Sequence, residues 1–133
     1  MEAYKLRIAH CKDIEKMQAV LTKIYGARGY GAELKEYINL VSSGRTLVRV
    51  VEKSGEFAGF IAMYRDFELG EGFIAHCWLK ERGKYGINKK LVRLIKGFMH
   101  GLKIVVQLDR AEVKMSLKNH LEYIENQEFY LKV

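Results

Sequence analysis

The residues best suited to chemistry lie in one turn, Arg82-Gly83-Lys84-Tyr85-Gly86-Ile87-Asn88. It follows an apolar, β-rich run (Phe73 to Leu79) and opens a basic amphipathic stretch from Lys89 to about Gly101. A strand that passes through glycines into a helix start is a ready-made anion site. The amides of the turn and of the first helical turn have no intrahelical acceptor, and the helix dipole adds positive charge there. From Trp78 to Lys103 the basic side chains Lys80, Arg82, Lys84, Lys89, Lys90, Arg93, Lys96 and Lys103 face a single acid, Glu81, a local excess equal to the +7 of the whole chain. A phosphate-bearing or polyanionic ligand is therefore expected at this segment. His10-Cys11 and His76-Cys77 invite a zinc reading, but neighbouring strand residues point to opposite faces. With no Cys-x-x-Cys or His-x-x-x-His spacing, no metal is expected. Cys77 has no base beside it in the sequence and reads as a buried thiol rather than a nucleophile.

The elements that position this turn can be read from periodicity. Tyr4, Leu6 and Ile8 alternate with Lys5 and Arg7, the pattern of a half-buried strand. Lys12-Asp13 opens a helix with Ile14, Met17, Leu21 and Ile24 on one face, and Leu34, Tyr37, Ile38 and Val41 mark a second. A glycine-rich break, Tyr25 to Gly31, separates the two helices. Thr46 to Val51 and Phe57 to Tyr64 flank Lys53-Ser54-Gly55-Glu56, a hairpin signal. A third strand from about Glu71 to Leu79 makes an antiparallel meander. After the basic helix, whose apolar face is Leu91, Ile95, Phe98 and Leu102, Ile104 to Leu108 reads as a strand. Asp109 and Glu112 then form a capping box for a final helix bearing Val113, Leu117, Leu121 and Ile124, and Phe129 to Val133 closes the chain as a strand. The order is β-α-α-β-β-β-α-β-α-β, an α+β fold with a mostly antiparallel central sheet, in one domain over residues 1–133.

Composition sets outer bounds. An apolar fraction of 49% with 29% charge suits a soluble globular domain. No apolar run approaches the ~18 residues of a membrane span. The first residues show no apolar signal region, and two cysteines fit free thiols better than a disulfide framework, so a cytoplasmic protein is expected.

Four stretches carry a family resemblance: Tyr4 to Ala9 with Lys12 to Lys16, Gly55-Glu56-Phe57-Ala58-Gly59-Phe60-Ile61-Ala62, the turn Gly83 to Asn88 around Gly86, and Asn119 to Phe129. Together they resemble the GNAT superfamily of acyl-CoA-dependent N-acetyltransferases over essentially the whole chain. The ending is similar to that of small phage-encoded GNAT-like proteins. In the turn, Gly83 stands where the family has Gln or Arg, and Asn88 where it has a small residue. The resemblance implies acetyl-CoA as co-substrate and an amine acceptor: a small amine, an aminoglycoside, a peptide N-terminus or a protein lysine. It implies that main-chain groups of Cys77, Trp78 and Leu79 grip the pantetheine arm. Amides of Lys84, Tyr85, Gly86, Ile87, Asn88 and Lys89 would hold the pyrophosphate, with Asn119 in the same cofactor set. For proton transfer it points to Glu71 as base, with Glu68 in reserve, and to Tyr123 as acid for the departing thiolate. The alternative is a GNAT-like protein without catalysis, nucleic-acid or virion associated, in which the basic helix tracks phosphates and Trp78 and Tyr85 stack on bases.

Overall fold

The computed structural model describes residues 4–26, 29–81, 87–107, 121–124 and 128–131; side chains from residue 107 onward are not included in that description. Strands β1 (Tyr4–Ile8), β2 (Thr46–Lys53), β3 (Glu56–Asp66), β4 (Glu71–Leu79), β5 (Lys103–Gln107), β6 (Leu121–Ile124) and β7 (Glu128–Leu131) form one sheet in the order β1-β2-β3-β4-β5-β7-β6. Helices α1 (Ile14–Tyr25) and α2 (Tyr30–Asn39) precede β2, and α3 (Ile87–Phe98) joins β4 to β5. Every pairing is antiparallel except β4 with β5. A parallel pair needs a crossover, and α3 supplies it.

The β2–β3 hairpin turns through Ser54 and Gly55, both at positive φ (56° and 78°), which matches the right-handed twist of the strands it joins. The meander has an apolar layer on each face. Against one face α1 and α2 bury Met17, Leu21, Tyr30 and Leu34 on Val48, Val50, Phe60 and Ala62. Against the other α3 buries Ile87, Leu91 and Ile95, four residues apart, with Met99, on Ile61, Met63, Ile74, Cys77 and Leu79. Each such fully buried side chain contributes about 1.5–3 kcal/mol. Met99 packs against Gly72, where any Cβ would collide with its side chain.

Two expectations change. Ile8, read as buried, is 54% exposed, because it ends the outermost strand β1, where Tyr4 goes fully into the core. Leu121 and Ile124, read as the end of a final helix, lie in β6, paired with Leu131 and Glu128 of β7. The short alternating Leu121-Glu122-Tyr123-Ile124 fits either period, and pairing with β7 decides it. The capping box at Asp109 and Glu112, with Val113 and Leu117, lies outside the described residues.

A charged clamp fixes the start of α1. The Arg7 guanidinium holds both carboxylate oxygens of buried Asp13 (2.7 and 2.9 Å) and reaches Glu52 through Nε at 3.0 Å. Asp13 also accepts the His10 amide at 2.8 Å, capping the 3-10 turn Cys11–Asp13 that leads into α1. The hydrogen bond from Arg7 is the main reason that the Asp13 carboxyl sits below its ordinary value. Because folding lowers this pKa, the clamp contributes fully above the unfolded carboxyl value of ~3.9 and is lost as pH falls through the lower folded value. Asp13→Asn should therefore cost about 1–3 kcal/mol at neutral pH and flatten the loss of stability below pH ~4. Urea unfolding at several pH values checks this, and an acid limb unchanged in the variant would contradict it.

Candidate active site at the parting of β4 and β5

The two parallel strands touch only briefly. Glu71, Gly72 and Phe73 register with Lys103, Ile104 and Val105, and β4 then continues to Leu79 with no further register pair to β5 among the described residues. The parting coincides with a bulge. Across from β3, Met63 opposes Ile74 and Ala62 opposes His76, so Ala75 is an extra residue in β4. A bulge of this kind bends the strand and shifts its side-chain alternation by one. Gly72 and Ile74 lie on the α3 face; in a regular strand, with Ala75 taking a place in the pleat, His76 would join them. Instead Cys77 and Leu79 take the α3 face, and His76 and Trp78 turn toward α1 and α2.

There His76 meets α2. It is only 2% exposed, its Nε2 lies 3.1 Å from Oε1 of Glu33, and the Tyr30 ring stands edge-on at 6.0 Å. A carboxylate accepts and cannot donate, so in this bond the Nε2–H is the donor. Glu33 occupies the first turn of α2, where the helix dipole favours a negative charge, and its side chain is 37% exposed. It faces a cavity of about 210 Å³ lined also by Tyr37, Tyr64, Phe73, Ile74, Ala75 and Val105, that is, by the bulge and the last β5 residue paired with β4. Tyr37 and Tyr64 also line a larger cavity of about 630 Å³ with Leu40, Arg45, Thr46, Arg65, Asp66, Phe67 and Glu68. The two form one groove between α2 and the β3–β4 turn. Its walls are braced by Tyr64 stacked on Phe73 at 4.7 Å, Tyr37 edge-on to Tyr64, and the Thr46 hydroxyl donating to the Tyr37 carbonyl at 2.6 Å. Arg65 is anchored by donating to the carbonyls of Gly44 and Phe98, both at 2.7 Å. Neither Glu33 nor the role of His76 was visible in the sequence: the partners are 43 positions apart, and no local spacing joins them.

The residues expected from sequence distribute as follows. Cys77 and Leu79 are buried on the α3 face; Trp78 is half-buried and stacked on Phe57 at 6.0 Å. Ile87 is the buried first residue of α3, Asn88 is half-buried and Lys89 exposed. Arg82, Gly83, Lys84, Tyr85, Gly86 and Asn119 lie outside the described residues. Glu71 sits at the closed end of the β4–β5 pair, registered with Asp66 and Lys103, and lines neither cavity. It is about 13 Å from Ala75 along the strand. Tyr123, described for its backbone alone, is in β6, with β7 and β5 between it and β4. Lys90 of the basic helix donates to the main-chain carbonyl of Tyr4 at 2.6 Å, while Lys89, Arg93 and Lys96 point to solvent. Among the described residues no group of three His, Cys, Asp or Glu converges on a metal position.

No family model and no curated protein matches the sequence. Solved structures do match. PaiA N-acetyltransferase of Thermoplasma acidophilum, solved with coenzyme A, superposes with a TM-score of 0.70 at 15% identity, covering 97% of each chain. An acetyltransferase of Salmonella typhimurium that modifies the N-terminal serine of a 50S ribosomal protein gives 0.66 at 15% identity, covering 98% of this chain and 95% of its own. A GNAT-family acetyltransferase of Streptococcus pneumoniae gives 0.61 at 17% identity over 96% of each chain. The fold is that of the GNAT acetyltransferases. The expected α+β class with its mostly antiparallel sheet is therefore correct, and in this GNAT fold the bulged β4 and the groove beside it are the built features.

Deleting Ala75 tests the geometry of the bulge. The variant should close the register, with Ile74 and His76 as successive residues opposite Met63 and Ala62, so His76 should stay on the α2 side and keep its bond to Glu33. Imidazole NMR signals of His76 report the contact, and a stable variant in which the contact is lost would contradict the assignment of the bulge.

Proposed function

We propose that this protein is an acetyl-CoA-dependent N-acetyltransferase, in which an amine attacks the thioester directly. The observation that carries this reading is the GNAT fold with a bulged β4 that parts from β5 beside the start of a basic helix. A strand that leaves its neighbour offers main-chain amides and carbonyls to an extended, amide-bearing chain such as pantetheine. The start of α3, with its unsatisfied amides and positive dipole end, suits a pyrophosphate. Two of the similar proteins were solved with the ligand: PaiA with coenzyme A, and the self-immunity acetyltransferase MccE, at 15% identity and a TM-score of 0.63, with acetyl-CoA and AMP.

On this reading the main chain of Cys77, Trp78 and Leu79 holds the pantetheine arm. The turn from Lys84 to Lys89, with Gly86 at its centre, holds the pyrophosphate, and Asn119 belongs to the same cofactor set. The amine nitrogen bonds to the acetyl carbonyl carbon, the carbon–sulfur bond breaks, and the thiolate leaves. The protein contributes position, a proton acceptor and shelter from water rather than a covalent intermediate. Tyr123 is the residue proposed to protonate the thiolate. A reducing cytoplasmic setting fits the two free thiols, Cys11 and Cys77.

Acetyl-CoA that binds only the folded state should stabilise it by about 2.7 kcal/mol at a hundredfold excess over Kd. Lys84→Gln/Lys89→Gln should weaken this binding. Arg93→Gln/Lys96→Gln should not, because those side chains lie about 6 and 10 Å further along α3 than Lys89. Thermal-shift titration and calorimetry check both. Absence of any shift or heat with millimolar acetyl-CoA would remove the enzyme reading, and equal weakening by both pairs would move the anion site along the helix.

A further inference from the structure

Resting on the acetyltransferase reading, we infer that Glu33 is the proton acceptor for the incoming amine, that His76 positions its carboxylate, and that the groove takes a primary alkylammonium. Among the described residues Glu33 is the carboxylate that lines the cavity at the bulge, the point where β4 leaves β5. It is half-exposed to that cavity, while its His76 partner is buried behind it, so one oxygen is held in place by a side chain that solvent does not reach. Other titratable groups around the pair are Tyr30 and Tyr37 from α2 and Tyr64 from β3. Glu71 lines neither cavity, and Glu68 lines only the larger one.

The class of acceptor follows from the lining. Tyr37, Tyr64 and Phe73 surround Glu33 with aromatic rings, and an ammonium is attracted both to ring faces and to a carboxylate. Further out stand Asp66 and Glu68, on a protein whose overall charge is +7. Of the two cations there, Arg65 is engaged with the carbonyls of Gly44 and Phe98, and Arg45 is exposed at the rim. An alkylammonium thus enters with its charge matched along the path. One proton passes from its nitrogen to Glu33. The neutral amine adds to the thioester carbonyl, and the carbon–sulfur bond breaks as a second proton leaves the nitrogen. The thiolate regains one proton, Glu33 returns the other to solvent, and the products are the N-acetyl amine, coenzyme A thiol and one released proton.

The test measures thiol release from acetyl-CoA with 1,5-diaminopentane as the acceptor probe and 1,5-pentanediol as its uncharged counterpart, beside calorimetric binding of acetyl-CoA. Wild-type protein should turn over the diamine and not the diol. Glu33→Gln should lower kcat by about 10²–10⁴-fold with acetyl-CoA affinity unchanged. His76→Phe should lower kcat, and His76→Gln, which keeps a donor, should restore part of it; should the His76 variants fail to fold, Glu33→Gln decides alone. If acetyl-CoA does not bind wild-type protein, the acetyltransferase reading itself fails. If it binds but the diamine releases no more thiol than the diol, the alkylammonium class is overturned. If Glu33→Gln turns over normally, or loses acetyl-CoA affinity in step with kcat, Glu33 is not the proton acceptor.

Discussion

Insertion of Ala75 into β4 splits the strand into two phases, and most of what is distinctive in this structure depends on that split. Before the bulge, β4 is an ordinary inner strand, paired with β3 on one side and with β5 on the other. Beyond it, β4 keeps β3 and leaves β5. Because Ala75 bulges instead of taking a place in the pleat, an imidazole that a regular strand would have buried among leucines and isoleucines meets a carboxylate. A polar group buried without a partner costs about 1–3 kcal/mol, so with Ala75 in the chain the bulge and the Glu33–His76 bond require one another.

Charge is distributed in two territories. The exposed face of α3 carries Lys89, Arg93 and Lys96, while the groove on the opposite side of the sheet is lined by Glu33, Asp66 and Glu68 with Arg45 and Arg65. The arrangement suits an anionic co-substrate at one end of β4 and a cationic one at the bulge. It suits a continuous phosphate track less well, since Lys90 is spent on the Tyr4 carbonyl and ties α3 to β1. Charges held this way act structurally, as Arg7 does with Asp13 and Arg65 does at the last turn of α3. Cations at that end of a helix also complement its dipole.

The exposed apolar residues Phe67 and Leu69 sit beside the groove, on the turn between β3 and β4. Asp66 organises this turn by accepting the amides of Glu68 and Leu69 at 3.0 and 3.1 Å, and Arg65 lies 5.0 Å from the Phe67 ring. Apolar groups placed at a polar groove mouth add contact area for the hydrocarbon part of an amine, complementing the charges deeper inside.

The amino-acid sequence by itself determined the elements whose signals are local. Alternation of apolar residues and the Ser54-Gly55 turn specify the β2–β3–β4 meander, with β4 found from Glu71 to Leu79 as read. The four-residue step of Leu91 and Ile95 specifies the middle of the buried face of α3, and its basic face follows from the same count; Phe98 and Leu102, read on that face, are half-buried, and Ile87 and Met99 complete it. Tertiary structure decided the rest. Leu121 to Ile124 had too few residues to distinguish helix from strand, and a partner strand, β7, settled it. The bulge left no mark in composition, because alanine fits a bulge and a regular strand equally well. Glu33 and His76 were each unremarkable alone: a helix carboxylate and a strand histidine. Their meeting depends on how α2 lies across the sheet and on which phase of β4 faces it, and both are set by non-local packing that no periodicity within either segment encodes.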